Sequence, residues 1–491
     1  MKRRDFLKLA GVAALGSAQP ARILAQNTMP MPNPSAAPQN LPKADFTLQI
    51  APIPLELSPE LIISTIGYNG SSPGPVLRMK EGAPVTVDVI NDTDTPEFVH
   101  WHGLLVPSEV DGAEEEGTPV VAPRSRQRYQ FTPRPAGTRW YHTHAMAGVD
   151  LHRGTYTGQY GFLIVDPASS PGNYDQEIFL ALRDWEPYFS AAADNEAAEQ
   201  DAGPGVRIAT PERPAVLDTR PNGFEVASQV YSINGKSLGA GEPIRVKPGS
   251  RVLMRVLNAS AIENRRISLP GHKFNVVALD GNPVPTPRAV ETLALGPGER
   301  IDAIVEMNQP GIWILGETDD MVRNMGLGVI VEYAGQTTRR PTWAPPMSRV
   351  WDYTVFGKAA GAQRTTPAPE QTIDMVFEKV PRGNGPFNSF LVNGKPYPHE
   401  REFVLKQGTR YRLVFHNRTD DSHPLHLHRH LFELVDINGV PTSGIIKDTV
   451  VVPFYGRTSV DFTADQPGLT LFHCHIQQHM DFGFKALFSY A

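Results

Sequence analysis

From residue 43 onward, short stretches alternate apolar with polar residues, as in Val85-Thr86-Val87-Asp88-Val89 and Arg410-Tyr411-Arg412-Leu413-Val414. Alternation with period two gives an extended strand one inward and one outward face. The apolar runs are short, rich in Val, Ile, Phe and Tyr, and set among abundant Gly and Pro. The pattern predicts many short strands joined by turns.

The strands fall into a threefold repeat. Arg78-Met79-Lys80-Glu81-Gly82, Arg245-Val246-Lys247-Pro248-Gly249 and Val404-Leu405-Lys406-Gln407-Gly408 each precede an alternating strand that ends at Asn91, Asn258 or Asn417, with 11 residues from Lys to Asn in all three. Pro135-Ala136-Gly137, Pro310-Gly311 and Pro467-Gly468 mark a second shared point, and Asn-Gly pairs at 69–70, 234–235 and 393–394 mark a third. Asn-Gly turns join antiparallel strands. The period of about 160 residues is far longer than a solenoid repeat. An all-β chain of three homologous β-sandwich domains follows, at 43–168, 171–334 and 370–491. Residues 335–369, rich in Thr, Pro and Ala, read as a linker, and 191–204 as an exposed acidic loop. A chain of 491 residues is too long for one core, which agrees with several domains.

The repeat places the histidines. Nine residues past the shared Asn come His100, Ile267 and His426, and two further on come His102, Leu269 and His428. Five residues past the shared Gly come His142, Gly316 and His473, then His144, Thr318 and His475. The outer domains thus carry His-x-His at both positions and the middle domain at neither, which makes the middle domain a spacer. Residues i and i+2 of a strand face the same way, so each pair aims two imidazoles at one side. One such pair is usually structural. Four pairs at repeat-equivalent positions predict eight imidazoles around a metal cluster, since eight exceed the needs of one ion.

The single cysteine, Cys474, sits between His473 and His475 and points to the opposite face of its strand. It has no disulfide partner within the chain. A thiolate with two imidazoles is the blue-copper ligand set. His423 and His479 stand close in sequence and outside the cluster pairs, so Cys474, His423 and His479 form the expected second centre, linked to the cluster through the cysteine's own chain neighbours.

Charge and leader narrow the setting. The net charge of -6 and the absence of a long basic run exclude nucleic acid as a partner. Arg3-Arg4-Asp5-Phe6-Leu7-Lys8 followed by an apolar run resembles a twin-arginine export signal (1–25, with small residues at Ala18 and Ala25), ahead of a Pro-rich tether at 26–42. The expectation is a periplasmic protein carried by the twin-arginine translocase, with no membrane span after the leader.

His100-Trp101-His102-Gly103, Trp140-Tyr141-His142-Thr143-His144, His423-Pro424-Leu425-His426-Leu427-His428 and His473-Cys474-His475-Ile476-Gln477-Gln478-His479 resemble, in order, the four copper motifs of the laccase-type multicopper oxidases. The resemblance implies three cupredoxin-like Greek-key domains and four copper ions. It implies a type 2 copper on His100 and His426, one type 3 copper on His102, His142 and His475, and the other on His144, His428 and His473. It further implies that Asp111 helps deliver protons to reduced oxygen, and that Phe484 fills the axial position of the type 1 copper without coordinating, which raises the potential. Some bacterial relatives carry Glu directly after the last His; here Met480 stands there.

The expected activity is one-electron oxidation of a reducing substrate, phenols or aromatic amines first, coupled to four-electron reduction of dioxygen to water. The alternatives are a metallo-oxidase for cuprous, ferrous or manganous ions, for which Met321 and Met325 beside Asp319 and Asp320 are the nearest soft-metal patch, and a copper-free structural or cell-division relative, which a complete ligand set argues against. His430 and His152 read as structural residues, His272 and His399 as surface or turn residues, and Glu114-Glu115-Glu116 as a solvated run.

Overall fold

The fold is known from a computed structural model that describes residues 42–167, 173–191, 223–336, 340–347, 351–358, 366–381, 387–398 and 403–491. The leader, nearly all of the tether, the acidic stretch from residue 192 and His399 lie outside the described residues.

The described strands form six sheets, two in each third of the chain. In the first third, Leu61–Tyr68, Phe46–Ser58, Val85–Asn91 and Ser125–Phe131 make one sheet, and Leu77–Lys80, Tyr160–Asp166, Gly137–Thr143 and Val99–His100 make the other. The last third repeats the plan. There Phe403–Leu405, Lys485–Tyr490, Thr470–Cys474, His423–Leu427 and Thr449–Val452 form the second sheet. In every third the opening strand runs parallel to the Asn-terminated strand, with Leu48 opposite Val89, Ile178 opposite Met254 and Ile373 opposite Leu413. This is the all-β, three-unit architecture that the repeat predicts, and it agrees with the cupredoxin-like domains that the resemblance implies.

The shared residues have a common physical job. Each Asn-Gly pair has both residues at positive φ (Asn69 52° and Gly70 78°, Asn234 54° and Gly235 75°, Asn393 52° and Gly394 79°), the backbone of a type I′ hairpin turn. Each strand-ending Asn is buried and ties two loops. The Asn258 amide donates to Glu263 O at 3.0 Å and Leu295 O at 2.9 Å, and its oxygen accepts from Ser260 N at 3.0 Å. Asn91 and Asn417 repeat this with Val121 O and Pro453 O, both at 2.9 Å. Asn258→Ala leaves these buried backbone groups unpaired, so unfolding by denaturant should show a loss of about 3 kcal/mol. A loss below ~1 kcal/mol would contradict this account of the repeat.

The apolar interior does not divide as the repeat does. The first third has its own cluster around Leu48, Val87, Trp101 and Tyr141. The second and third share one continuous cluster. Trp351, Tyr353 and Phe356, within the stretch read as a linker, are buried in that shared cluster, so 351–358 is packed, whereas 340–347 is largely exposed as a linker would be. A further cluster around Trp140 and Trp185 joins the first and second thirds. Among the described residues no helix is long and apolar enough to cross a membrane.

Candidate metal centre

Strand register brings the histidines together. Val99–His100 pairs antiparallel with Gly137–Thr143, which sets His100 opposite His142. His423–Leu427 pairs with Thr470–Cys474, which sets His426 opposite His473 and Leu425 opposite Cys474. The two faces meet, and all eight paired imidazoles converge in buried surroundings. Their ligand atoms form three groups: His100, His102 and His426; His102, His142 and His475; His144, His428 and His473. Cys474, His423 and His479 form a separate buried group, and His100, Asp111 and His428 an overlapping one. Within each group the ligand atoms lie within 4.8 Å of one another.

Hydrogen bonds fix which nitrogen six of the eight rings present. The Nδ1 of His100, His142, His426 and His473 donates to Asp111 O, Thr143 O, Asp448 O and Cys474 O, at 2.9, 2.8, 2.7 and 2.8 Å. The His428 Nδ1 donates to Asp111 Oδ2 at 2.8 Å. An imidazole that donates from one nitrogen offers a lone pair on the other, the arrangement that outer partners impose on metal-binding histidines. His102 is turned the other way, with Nε2 donating to Asp448 Oδ1 at 3.1 Å and a buried, unpartnered Nδ1.

The donor geometry fits metal. His100 Nε2 and His426 Nε2 stand 3.3 Å apart, and His428 Nε2 and His473 Nε2 stand 3.0 Å apart, lone pair facing lone pair. Nitrogens held ~2.0 Å from one ion at tetrahedral angles are spaced by about 3.3 Å. The His142 Nε2 is likewise buried without a hydrogen-bond partner. Burial first, and the neighbouring imidazoles second, push His102, His142, His144, His426 and His473 far below the usual histidine range. The same causes bring His428 to about 4 and His475 to about 3. The rings are therefore neutral, which is the ligating form.

At the separate group, Cys474 Sγ lies 3.7 Å from His423 Nδ1 and 3.5 Å from His479 Nδ1, and these nitrogens are 3.2 Å apart. A thiolate and two imidazoles in one plane suit copper above other first-row ions. Phe484 is fully buried, its ring 4.7 Å from the His423 ring, and its carbonyl accepts from Cys474 N at 3.1 Å. A hydrocarbon ring offers a metal nothing there.

Two aspartates bind the halves of the cluster in a matching way. Asp111 holds His100 through its carbonyl and His428, from the other half, through its carboxylate. Asp448 holds His426 through its carbonyl and His102 through its carboxylate. Burial opposes ionisation of Asp111, but His100 and His428 alongside keep its carboxyl well below the usual range. The repeat count did not find Asp448, because Asp111 follows its histidine by 11 residues and Asp448 by 22. The shared role lies in the fold, not in the spacing.

Other readings need correction. Glu114-Glu115-Glu116 is not a solvated run: Glu116 is buried, its Oε1 accepts from Leu471 N at 2.7 Å, and Glu115 pairs with Lys485 at 2.5 Å. Burial, then the Asp111 charge, push Glu116 well above the usual range. His272 is buried, bonded to Pro270 O and Tyr333 Oη rather than to solvent. Asp319 caps a short helix and Asp320 pairs with Arg323, so the carboxylates beside Met321 and Met325 are already engaged. His430 is buried between His428 O and Tyr490 Oη, a structural role, and His152 is exposed.

Comparison with known proteins agrees with this geometry. Three multicopper oxidase family models match residues 56–170, 194–330 and 364–491. The chain is 29% identical to the multicopper oxidase MmcO of Mycobacterium tuberculosis over 87% of this chain and 84% of that protein. It is 24% identical to a copper resistance protein A homolog of Pseudomonas syringae pv. tomato over 98% of each. Among solved structures it superposes on Fet3p, a multicopper oxidase that functions in iron import, with a TM-score of 0.73 at 19% identity, covering 91% of this chain and 90% of that one. Matched in order along its length, and with its histidines converging in the outer thirds, the chain belongs to the multicopper oxidase family.

Proposed function

We propose that the protein oxidises phenols or aromatic amines one electron at a time and passes four electrons to dioxygen, in a periplasm reached by the twin-arginine route. Bound copper supplies the one-electron steps at the thiolate site and the four-electron reduction of dioxygen to water at the cluster. The observation that carries this reading is the placement of Cys474. It sits in one metal group while its chain neighbours His473 and His475 sit in two others. Cys474, His423 and His479 hold the type 1 copper. His100 and His426 hold the type 2 copper. His102, His142 and His475 hold one type 3 copper, and His144, His428 and His473 the other. Cys474 would thus join the two copper centres through the bonded atoms of its own chain neighbours.

A small cavity of about 10 Å³, room for about one water, lies against His142, His144, His473 and His475. Met480 also lines it. Its thioether brings no proton, so proton supply rests more heavily on Asp111, whose carboxylate touches His428 at 2.8 Å, or on solvent. The apolar Phe484 supports a high-potential site suited to phenols. Phe484→Met offers a thioether at the axial position, so redox titration should give a lower type 1 potential; an unchanged potential would show that residue 484 does not set it.

Steady-state oxidation of 2,6-dimethoxyphenol and of cuprous ion by the copper-loaded protein tests the donor. A kcat/KM clearly higher for the phenol supports the proposal. Oxidation of cuprous ion alone assigns the metallo-oxidase alternative instead.

A further inference from the structure

Among the described residues the middle third contributes none to the metal groups, yet it presses directly against one of their histidines, His475, and reaches another, His102, through Asp448. The turn before strand Arg300–Glu306 carries Gly298 and Arg300 to the cluster. Gly298 has φ of +87°, and a β-carbon there would stand 2.7 Å from His475 Cδ2. Arg300 is fully buried and grips the Asp448 carboxylate with both ends of its fork, Nη1 to Oδ1 at 2.7 Å and Nη2 to Oδ2 at 2.6 Å. The fork is itself anchored, with Nη1 donating to Gly298 O at 2.9 Å. Asp280, also of the middle third, accepts from the backbone N of Asp448 and of Thr449 at 3.3 and 3.2 Å. Both the backbone and the side chain of Asp448 are thus held from outside its own domain.

The held carboxylate faces Nε2 of His102, beside Thr449 Oγ1 at 3.1 Å from the same nitrogen. Asp448 Oδ1 accepts from His102 Nε2 at 3.1 Å, while His100, His142, His426, His428 and His473 are all bonded through Nδ1. His102 is the reversed ring in this set, and the reversal follows from where Asp448 stands. A planar guanidinium that bonds both carboxylate oxygens fixes the plane of the carboxylate, which a point charge does not. The motif residue Gly103 belongs to the same device. At φ of +85°, a β-carbon on it would lie 2.7 Å from both Arg300 Nη2 and Asp448 Oδ2.

We propose that Arg300 is a positioning residue for the copper cluster: through Asp448 it makes His102 present Nδ1, so the unit without ligands sets the geometry of the His102, His142 and His475 site. This rests on the reading of those three residues as copper ligands. The middle domain is then more than the spacer that its lack of histidine pairs suggests.

Two variants test it in the full-length, copper-loaded protein. Arg300→Lys keeps the charge and loses the fork. The double variant Arg300→Gln with Asp448→Asn removes both charges of the fork together, so neither is left buried without the other, while Arg139, 3.5 Å from Asp448, keeps its hydrogen bonds to the Asp280 carbonyl and Asn282. Total copper and blue absorbance are followed during dialysis against a graded series of chelator concentrations. The expected result is a roughly 10–100-fold weaker hold on cluster copper, with the blue site retained as in the parent. Parent-like retention of all copper in both variants would overturn the proposal. So would equal loss from the blue site and the cluster, or failure of both variants to fold, since Arg300 would then only join the domains. A parent chain that holds no cluster copper would overturn the ligand reading itself, and this proposal with it.

Discussion

Cys474→Ser should yield a folded, colourless protein with turnover at background for every one-electron donor. The thiol is fully buried and is the single sulfur donor facing His423 and His479 in that group. A serine hydroxyl matches its size but is a poor ligand for a soft site. The cluster should survive, because His473 is oriented by the carbonyl of residue 474, at 2.8 Å, and not by its side chain. Copper analysis should therefore fall from about four ions to about three, with the loss confined to the blue EPR signal. A variant that stays blue, or that oxidises donors at the parent rate, would remove Cys474 from the electron path.

Replacement of Asp111 should act on the other half-reaction. Its carboxylate accepts from His428 Nδ1 at 2.8 Å and lies 3.3 Å from His100 Nδ1. Asp111→Ala removes the acceptor that orients His428, and a roughly 10–100-fold loss in cluster copper affinity or activity is expected. Asp111→Asn separates orientation from proton transfer. Its amide oxygen can still accept the His428 N–H, so copper loading should hold, while an amide cannot relay a proton. Rapid mixing of the fully reduced variant with dioxygen should show reoxidation slowed by roughly 10²–10⁴-fold. Parent-like reoxidation of the Asn variant would leave Asp111 with an orienting role alone.

The sequence carried what depends on regular spacing. His100 and His426, or His142 and His473, are repeat-equivalent, and strands convert equal counting into equal position; the pairing of His426 with His473 across two strands is the physical result. The strand-ending Asn residues were legible for the same reason, since the same three hydrogen bonds recur in each unit. Contacts between domains were not legible. Asp448 sits 22 residues past His426 on a loop of different length from its counterpart, and Arg300 lies 148 residues from Asp448. Glu116 looked solvated because acidic runs usually are, and only the fold of the opposite half brings Leu471 N to it. The packed stretch 351–358 of the linker escaped for a related reason: the linker's Thr and Pro content hides three aromatic residues, Trp351, Tyr353 and Phe356, that join the cluster shared by the second and third units.

The central claim is that four coppers occupy these groups, one of them bound by Cys474. The most direct measurement is copper per chain together with the visible and EPR spectra of the purified, copper-loaded protein. The account predicts about four ions per chain and an intense blue band from copper–thiolate charge transfer, near ~600 nm. A colourless protein after full loading, or one ion per chain, would contradict it.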